Sequence, residues 1–304
     1  MSAEGGTKAI VAALLANTGI AVSKFIAAGI TGSASMLAEG VHSVADATNQ
    51  VLLLIGGKAS RKAASPAHPF GYGRERYIYA FIVSIVLFSI GGVYALYEGY
   101  HKLSHHGELD APLVAVIVLV VAIVLESFSL RTAVIESNAV RGEQTWTQFI
   151  KGSRSPELPV ILLEDIGALV GLILALFGVG LSWITGNIVF DALGTLCIGV
   201  LLVLIAIVLA IEIRSMLIGE SATRADIAAI EAAINGGDNS TLIHLKTLHV
   251  GPDELLVAAK IGIGEAVTGE EVAAEIDAAE SRIRTAVPKA KIIYIEPDIP
   301  RVSA

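Results

Sequence analysis

Apolar residues along this chain fall into six long runs separated by short polar stretches, and the pattern changes character near residue 220. The runs cover about 8–30, 34–57, 76–100, 111–136, 158–183 and 188–215, and each is long enough for a bilayer-crossing helix of roughly 20 apolar residues. Beyond residue 220 the apolar residues recur at helical or alternating spacing instead. Ile227, Ile230 and Ile234 share one face of a helix over 224–235. Strand-like stretches at 242–250 and 254–263 flank a turn at Gly251-Pro252-Asp253. Thr268 followed by Glu271 forms a capping box that opens a helix running to Val287, and 291–295 reads as a last strand. The pattern predicts an α-helical membrane protein with six transmembrane helices over 1–217, followed by a small α+β domain over 221–304.

Composition agrees with that division. Hydrophobic residues make up 54% of the chain and charged residues only 16%, against about a quarter in soluble domains. Basic residues gather after the second run, as Lys58, Arg61, Lys62, Arg74 and Arg76, and after the fourth, as Arg141, Lys151 and Arg154. The turns near Thr31 and Thr185 carry none, so the positive-inside rule puts both termini in the cytoplasm and predicts a multi-pass protein of the cell (inner) membrane. Lys8 leads straight into the first run with no small-residue cleavage site, which reads as a span rather than a cleaved signal. The single Cys197 excludes a disulfide framework and a cysteine zinc site, and it reads as a packing residue of the sixth run. A net charge of −8 argues against nucleic acid as a partner.

Ionisable residues inside the apolar runs carry the chemistry. His42 and Asp46 stand four residues apart in the second run, one helical turn on one face. Placing an ionised group at the bilayer centre costs roughly 2.5–3.5 kcal/mol on the insertion scale, so such residues need a reason. An imidazole nitrogen beside a carboxylate oxygen suits a divalent transition metal, while a polar pair joining two helices is the other reading. The fifth run adds Glu164 and Asp165, with Gly167 and Gly171 forming a small face for helix approach. If the second and fifth runs pack together, His42, Asp46 and Asp165 meet with an open position for a reversibly bound ion. Glu164 lies about 100° round the helix from Asp165, so it is the lesser ligand candidate, or a proton carrier beside the site. Glu126 interrupts the fourth run and fits a proton relay or a brace, whereas Asn17 and Asn49 fit interhelical hydrogen bonds, with Asn49 near the waters of an ion. Asp191 reads as the cap of the sixth helix, and His101, His105 and His106 as solvated loop residues.

These residues, together with His68-Pro-Phe-Gly71-Tyr72-Gly73-Arg74 after the second run, resemble the cation diffusion facilitator family across nearly the whole chain. The wording of the His42–Gln50 stretch and of Leu-Leu-Glu164-Asp165 is similar to the zinc transporter nine subgroup. The resemblance implies a homodimer with a ferredoxin-like tail that exports a divalent metal, zinc foremost, through the lipid bilayer against protons. It implies no enzyme activity and no cofactor beyond the transported ion. It also makes His68 a candidate for a second, loop-borne metal site, although Tyr72 stands where some members carry another histidine. In the fifth span the commoner family pattern has a histidine where this chain has Ile161, which leaves an oxygen-richer shell and favours Mn²⁺ or Fe²⁺ as alternative cargo.

The tail positions that bind zinc in sensing members correspond here to Lys260, Tyr294 and Glu296, with His244 or His249 near the remaining one. A Lys260–Glu296 contact is expected in place of a metal bridge, and dimerisation is expected without metal. Two other classes remain: a transport-inactive membrane scaffold or regulator of the same fold, and an intramembrane metalloenzyme. The chain has no His-Glu-x-x-His for the second, and no phosphate-binding loop for a nucleotide-driven pump.

Overall fold

The computed structural model describes residues 2–31, 34–104, 111–237, 240–264 and 267–299; within the first two helices the side chains of 2–6, 28, 30, 31, 34–39, 41 and 42 lie outside that description. Two compact units emerge, Met1–Lys58 with Arg76–Arg214, and Ala59–Glu75 with Ser215–Ala304. The loop after the second span, read from sequence as part of the first domain, thus groups with the tail.

The first unit consists of α1 (Ser2–Thr31), α2 (Ala34–Ala59), α3 (Glu75–Val86), a π-helical stretch Leu87–Val93, α4 (Tyr94–Ser104), α5 (Pro112–Arg141), the short α6 (Trp146–Gly152), α7 (Glu157–Thr185) and α8 (Val189–Ile218). Five of its helical segments are long and apolar enough to cross a membrane: Thr7–Ala27, Glu75–Ser104, Pro112–Arg141, Glu157–Thr185 and Val189–Ile218. At 26 residues α2 has the length, roughly 39 Å at 1.5 Å per residue, but its polar residues dilute its hydropathy. Apolar side chains point outward along these helices, among them Ile184, Phe177, Phe128 and Leu204, as expected where lipid replaces water. The chain is a multi-pass membrane protein.

Local sequence sets the ends of these helices. Pro112 opens α5 in the first turn, where its missing N–H costs nothing. Thr145 and Gln148 cap α6 reciprocally, and Gly186 closes α7 in the left-handed conformation at φ 68°. Helix packing follows small residues. A Cβ on Gly99 of α4 would lie 2.9 Å from the Leu196 backbone nitrogen of α8, and one on Gly199 would lie 2.8 Å from that of Leu96. The third and sixth spans therefore touch backbone to backbone. Gly167 and Gly171, expected to face a neighbouring helix, face Ile205 and Ile198 of α8.

The second unit contains α9 (Arg224–Asn235), β1 (Ser240–Gly251), β2 (Glu254–Ile263), α10 (Gly269–Ala286) and β3 (Ala290–Asp298), in the order the sequence predicts. The sheet runs β1-β2-β3, with β1 antiparallel and β3 parallel to β2. Its core joins Ile230 and Ile234 of α9, Leu255, Val257 and Ile261 of β2, Ile283 of α10 and Ile293 of β3. Thr268 and Glu271 form the expected capping box. The last strand runs three residues past the predicted end, because pairing with β2 continues through Lys260–Glu296 to Gly262–Asp298. Lys260 meets Glu296 at 3.2 Å, as anticipated, and also Asp298 at 2.9 Å. Those two carboxylates, Asp298 foremost, hold the Lys260 ammonium above the ordinary lysine range. Within this unit the Ala59–Glu75 loop lies on the hairpin turn: a Cβ on Gly73 would sit 2.9 Å from the Gly251 Cα.

Candidate metal centre

A membrane helix satisfies its own backbone, so buried side-chain polar groups must find partners on neighbouring helices or serve an ion or water. In the first unit several of them gather where α1, α2, α5 and α7 meet, while Ser84, Ser182 and Asp191 bond elsewhere. The inward stripe of α5 reads Val118, Ala122, Glu126, Ser129, Ala133 and Ser137, at steps of three and four residues. Small residues around Glu126 and Ser129 leave room for α1 and α7, both of which pack on α5. From α7, Asp165 turns toward this stripe, where its Oδ2 accepts a 2.8 Å hydrogen bond from Ser129 Oγ and where Glu126 also reaches it. Asp165 is 1% exposed and Glu126 2%.

Glu164, one residue earlier, points to a different neighbour. Its Oε1 accepts from Asn49 Nδ2 at 3.0 Å and its Oε2 from Gln50 Nε2 at 3.0 Å. Gln50 Oε1 in turn accepts from Asn17 Nδ2 of α1 at 3.2 Å. A chain of amides thus ties α1, α2 and α7 to one carboxylate, and both Glu164 oxygens are occupied by protein donors. Asn49 Oδ1 is buried with no hydrogen-bond partner among the described residues. Asp46, half-buried on α2, lies three residues from Asn49 and four from Gln50, on the same face. Glu126 feels the charges of Asp165, Glu164 and Asp46, so four carboxylates from three helices share one interior region.

His42 belongs to α2, one turn from Asp46, and its side chain lies outside the described residues. Among the described residues no three His, Cys, Asp or Glu side chains converge into a ready-made ion cage. Ile161, where the commoner pattern has histidine, is fully buried on α7.

The remaining candidates lie elsewhere. His68 sits on the exposed loop, where its N–H bonds back to Ser65 and its ring tilts against Tyr72 at 4.6 Å between centroids. His101 is on α4, and His105 and His106 fall outside the described residues. Asp191 does not cap α8: it sits in the first turn and accepts from Lys102 Nζ at 3.0 Å, while Asn187 Oδ1 takes the Val189 N–H. Cys197 is exposed on α8 rather than packed. In the tail, His249 is buried with Nδ1 3.3 Å from the Gly251 carbonyl, and His244 is exposed on β1 opposite Lys260.

Sequence reasoning gave no role to Gln50, Ser129 or Lys24. The signal for Lys24 was a lysine within an otherwise apolar run. It is 6% exposed, and its Nζ donates to Ser43 Oγ on α2 at 2.9 Å. The signal for Ser129 was its place one turn after Glu126; for Gln50 it was its place one turn after Asp46.

Comparison with known proteins adds an independent line. The cation efflux transmembrane domain family matches residues 10–218, more than half of the chain. The mitochondrial proton-coupled zinc antiporter SLC30A9 of Homo sapiens is 32% identical over 269 residues, covering 87% of this chain and 47% of that protein. Metal tolerance protein C4 of Arabidopsis thaliana is 28% identical over 257 residues, 84% of this chain and 56% of that one. The magnetosome protein MamM of Paramagnetospirillum magneticum is 32% identical over 110 residues, 34% of this chain and 35% of its own length. The chain spans about half the length of the first two relatives. A match that runs through all of the apolar helices shows that the chain belongs to the cation efflux family, the cation diffusion facilitators.

Proposed function

We propose that this protein moves a divalent transition metal, zinc foremost, out of the cytoplasm in exchange for protons. The observation that carries the reading is the Asp165 carboxylate, buried on α7 among Ser129, Glu126 and the charge of Asp46 in a membrane-spanning bundle. The transported ion takes its ligands from His42, Asp46 and Asp165. The Glu164 oxygens are already bonded to Asn49 and Gln50, so Glu164 holds α2 against α7 rather than gripping the ion. Among the described residues Asn49 Oδ1 has no donor, and in this reading it serves the ion or its waters.

Ligand chemistry supplies the coupling. Imidazole binds metal only when neutral and carboxylates only when ionised, so metal and protons compete for one set of atoms. Glu126, beside Asp165, receives or delivers the proton. Rocking of the bundle exposes the set first to the side that presents metal and then to the side that presents protons. In this reading α2 is a sixth span, both termini are cytoplasmic, and the protein resides in the cell (inner) membrane. Two copies associate through a ferredoxin-like tail, and no further cofactor takes part.

Ile161 in place of a histidine favours one extension of the cargo, acceptance of Mn²⁺ or Fe²⁺ beside zinc, because the shell is richer in oxygen. The test is zinc flux into proton-loaded liposomes carrying the full chain, with lumenal pH followed at the same time. Asp46→Asn and Asp165→Asn are each expected to abolish both the metal flux and the matching proton flux while leaving the protein folded. Wild-type flux in both variants refutes the site, and metal flux without proton flux refutes the exchange.

A further inference from the structure

Among the described residues Lys24 is the only buried lysine or arginine, and it lies within the apolar first span. A lysine near a membrane surface ordinarily snorkels its ammonium to water along a flexible stem. Lys24 does not: at 6% exposure it turns inward and donates to Ser43 on α2.

Its place relative to the acid cluster follows from two hydrogen bonds. Asn17 on α1 reaches Gln50 on α2, and Lys24 on α1 reaches Ser43 on α2. Each pair is seven residues from the other on both helices, two turns, so the helices run antiparallel in one register. Asp46 falls between the two contacts, opposite Ile20 and the small Ala21, both buried. Ser43 and Asp46 are three residues apart on one face of α2, with Cβ atoms roughly 5–6 Å apart. The Lys24 ammonium is therefore about one turn from the carboxylate that is to hold the ion, on the side opposite the Gln50–Glu164 contact.

We propose that Lys24 is a built-in counter-cation that weakens the grip of the transport site and so permits release. This rests on the transport-site reading above. A cluster of four carboxylates in an interior of low dielectric would bind a dication too tightly for turnover, since attraction there far exceeds its value in water. A permanent positive charge about a turn away opposes the bound dication more strongly than it opposes a bound proton. Where fewer than two protons replace each ion, the competition at the shared atoms is thereby tilted toward protons when the site faces the releasing side. Ser43 fixes the direction of the ammonium but takes no part in the charge balance.

The sign of the effect separates this role from a packing role. In the full-length protein reconstituted in nanodiscs and liposomes, Lys24→Met is expected to lower the zinc dissociation constant at least about tenfold by calorimetry, a floor well below what a unit charge one turn away exerts on a dication at an effective dielectric near 20. The transport KM falls with it, and the maximal rate falls as release slows. Lys24→Arg restores wild-type binding, and Ser43→Ala, which keeps the charge, leaves zinc affinity within about twofold. A lysine that merely packs two helices gives the opposite pattern, with weaker binding in Lys24→Met and the same defect in Ser43→Ala, and either result overturns the proposal. Should Lys24→Met not fold, Lys24→Gln, which keeps a donor for Ser43, is read in its place by the same criteria. Asp46→Asn is measured alongside. Loss of zinc binding there with no tightening in Lys24→Met refutes the counter-cation alone, whereas unaltered binding in Asp46→Asn refutes the transport site on which it stands.

Discussion

Gln50 is fully buried and joins three helices through its amide, accepting from Asn17 on α1 and donating to Glu164 on α7. Gln50→Leu keeps nearly the same volume and removes both bonds, leaving Asn17 Nδ2 and Glu164 Oε2 without those partners. A neutral interhelical hydrogen bond in a membrane contributes about 0.6 kcal/mol, because the unfolded chain in lipid finds partners too. A hydrogen bond to a charged group contributes about 1.5–3 kcal/mol. The carboxylate contact therefore dominates, and the expected loss is about 2–3 kcal/mol in a reversible unfolding measurement in lipid bicelles. A double-mutant cycle with Asn17→Leu is expected to return about 0.6 kcal/mol for the neutral bond, and one with Glu164→Gln distinctly more. Transport should suffer as well, since Glu164 then holds α2 through Asn49 alone at the depth where Asp46 and Asp165 cooperate. A Gln50→Leu protein within about 0.5 kcal/mol of wild type, with normal flux, would refute the view that this amide chain positions the site.

Other consequences can be checked in parallel. Gly99→Ala drives a Cβ to 2.9 Å from the Leu196 backbone nitrogen, which cannot rotate away, so a loss of about 1–3 kcal/mol is expected by the same unfolding assay. His42→Asp makes the shell all-oxygen, and the ratio of Mn²⁺ to Zn²⁺ flux in liposomes is expected to rise; an unchanged ratio removes His42 from the ligands. In the tail, Glu275 accepts from Arg282 at 2.9 Å and Ser240 at 2.7 Å, and these partners, Arg282 foremost, hold its carboxyl below the ordinary 4.5. A carboxylate depressed in the folded state stabilises above its unfolded pKa and loses that contribution as pH falls through the folded one. The full-length protein should accordingly lose tail stability as pH falls from about 5 toward 3, about 1 kcal/mol of it from this group, and Glu275→Gln should remove that share of the slope in pepsin-protection profiles.

The reach of sequence reasoning differs between the two units for a physical reason. Tail elements are specified locally, by the Thr268–Glu271 box, by the turn at Gly251 and by apolar spacing in α9, and they were legible within a few residues. Five of the six expected spans were equally legible, since length and hydropathy decide them, whereas the polar residues of α2 leave it outside the helices apolar enough to cross. Asp46, Glu164, Asp165 and Glu126 could be singled out because a charge in an apolar run is conspicuous by itself. Which partner each one finds is a property of helix rotation and packing, and one-dimensional spacing does not carry it. Gln50 reads as an ordinary amide until α7 brings Glu164 to it, and Asp191 reads as a cap until α4 brings Lys102.

The packing of Gly73 on Gly251 has a consequence for how this protein can be taken apart. The tail is not a cassette strung on one linker: the backbone passes between the two units after Lys58, before Arg76 and after Arg214. A tail excised at residue 215 would lack the segment that covers its hairpin turn, and a bundle left behind would keep an orphan loop. Grafting the tail of a relative onto this bundle would succeed only if residues 59–75 travelled with it. The two glycines, 178 residues apart in the chain, behave as a single matched part, since a side chain on either would strike the backbone of the other.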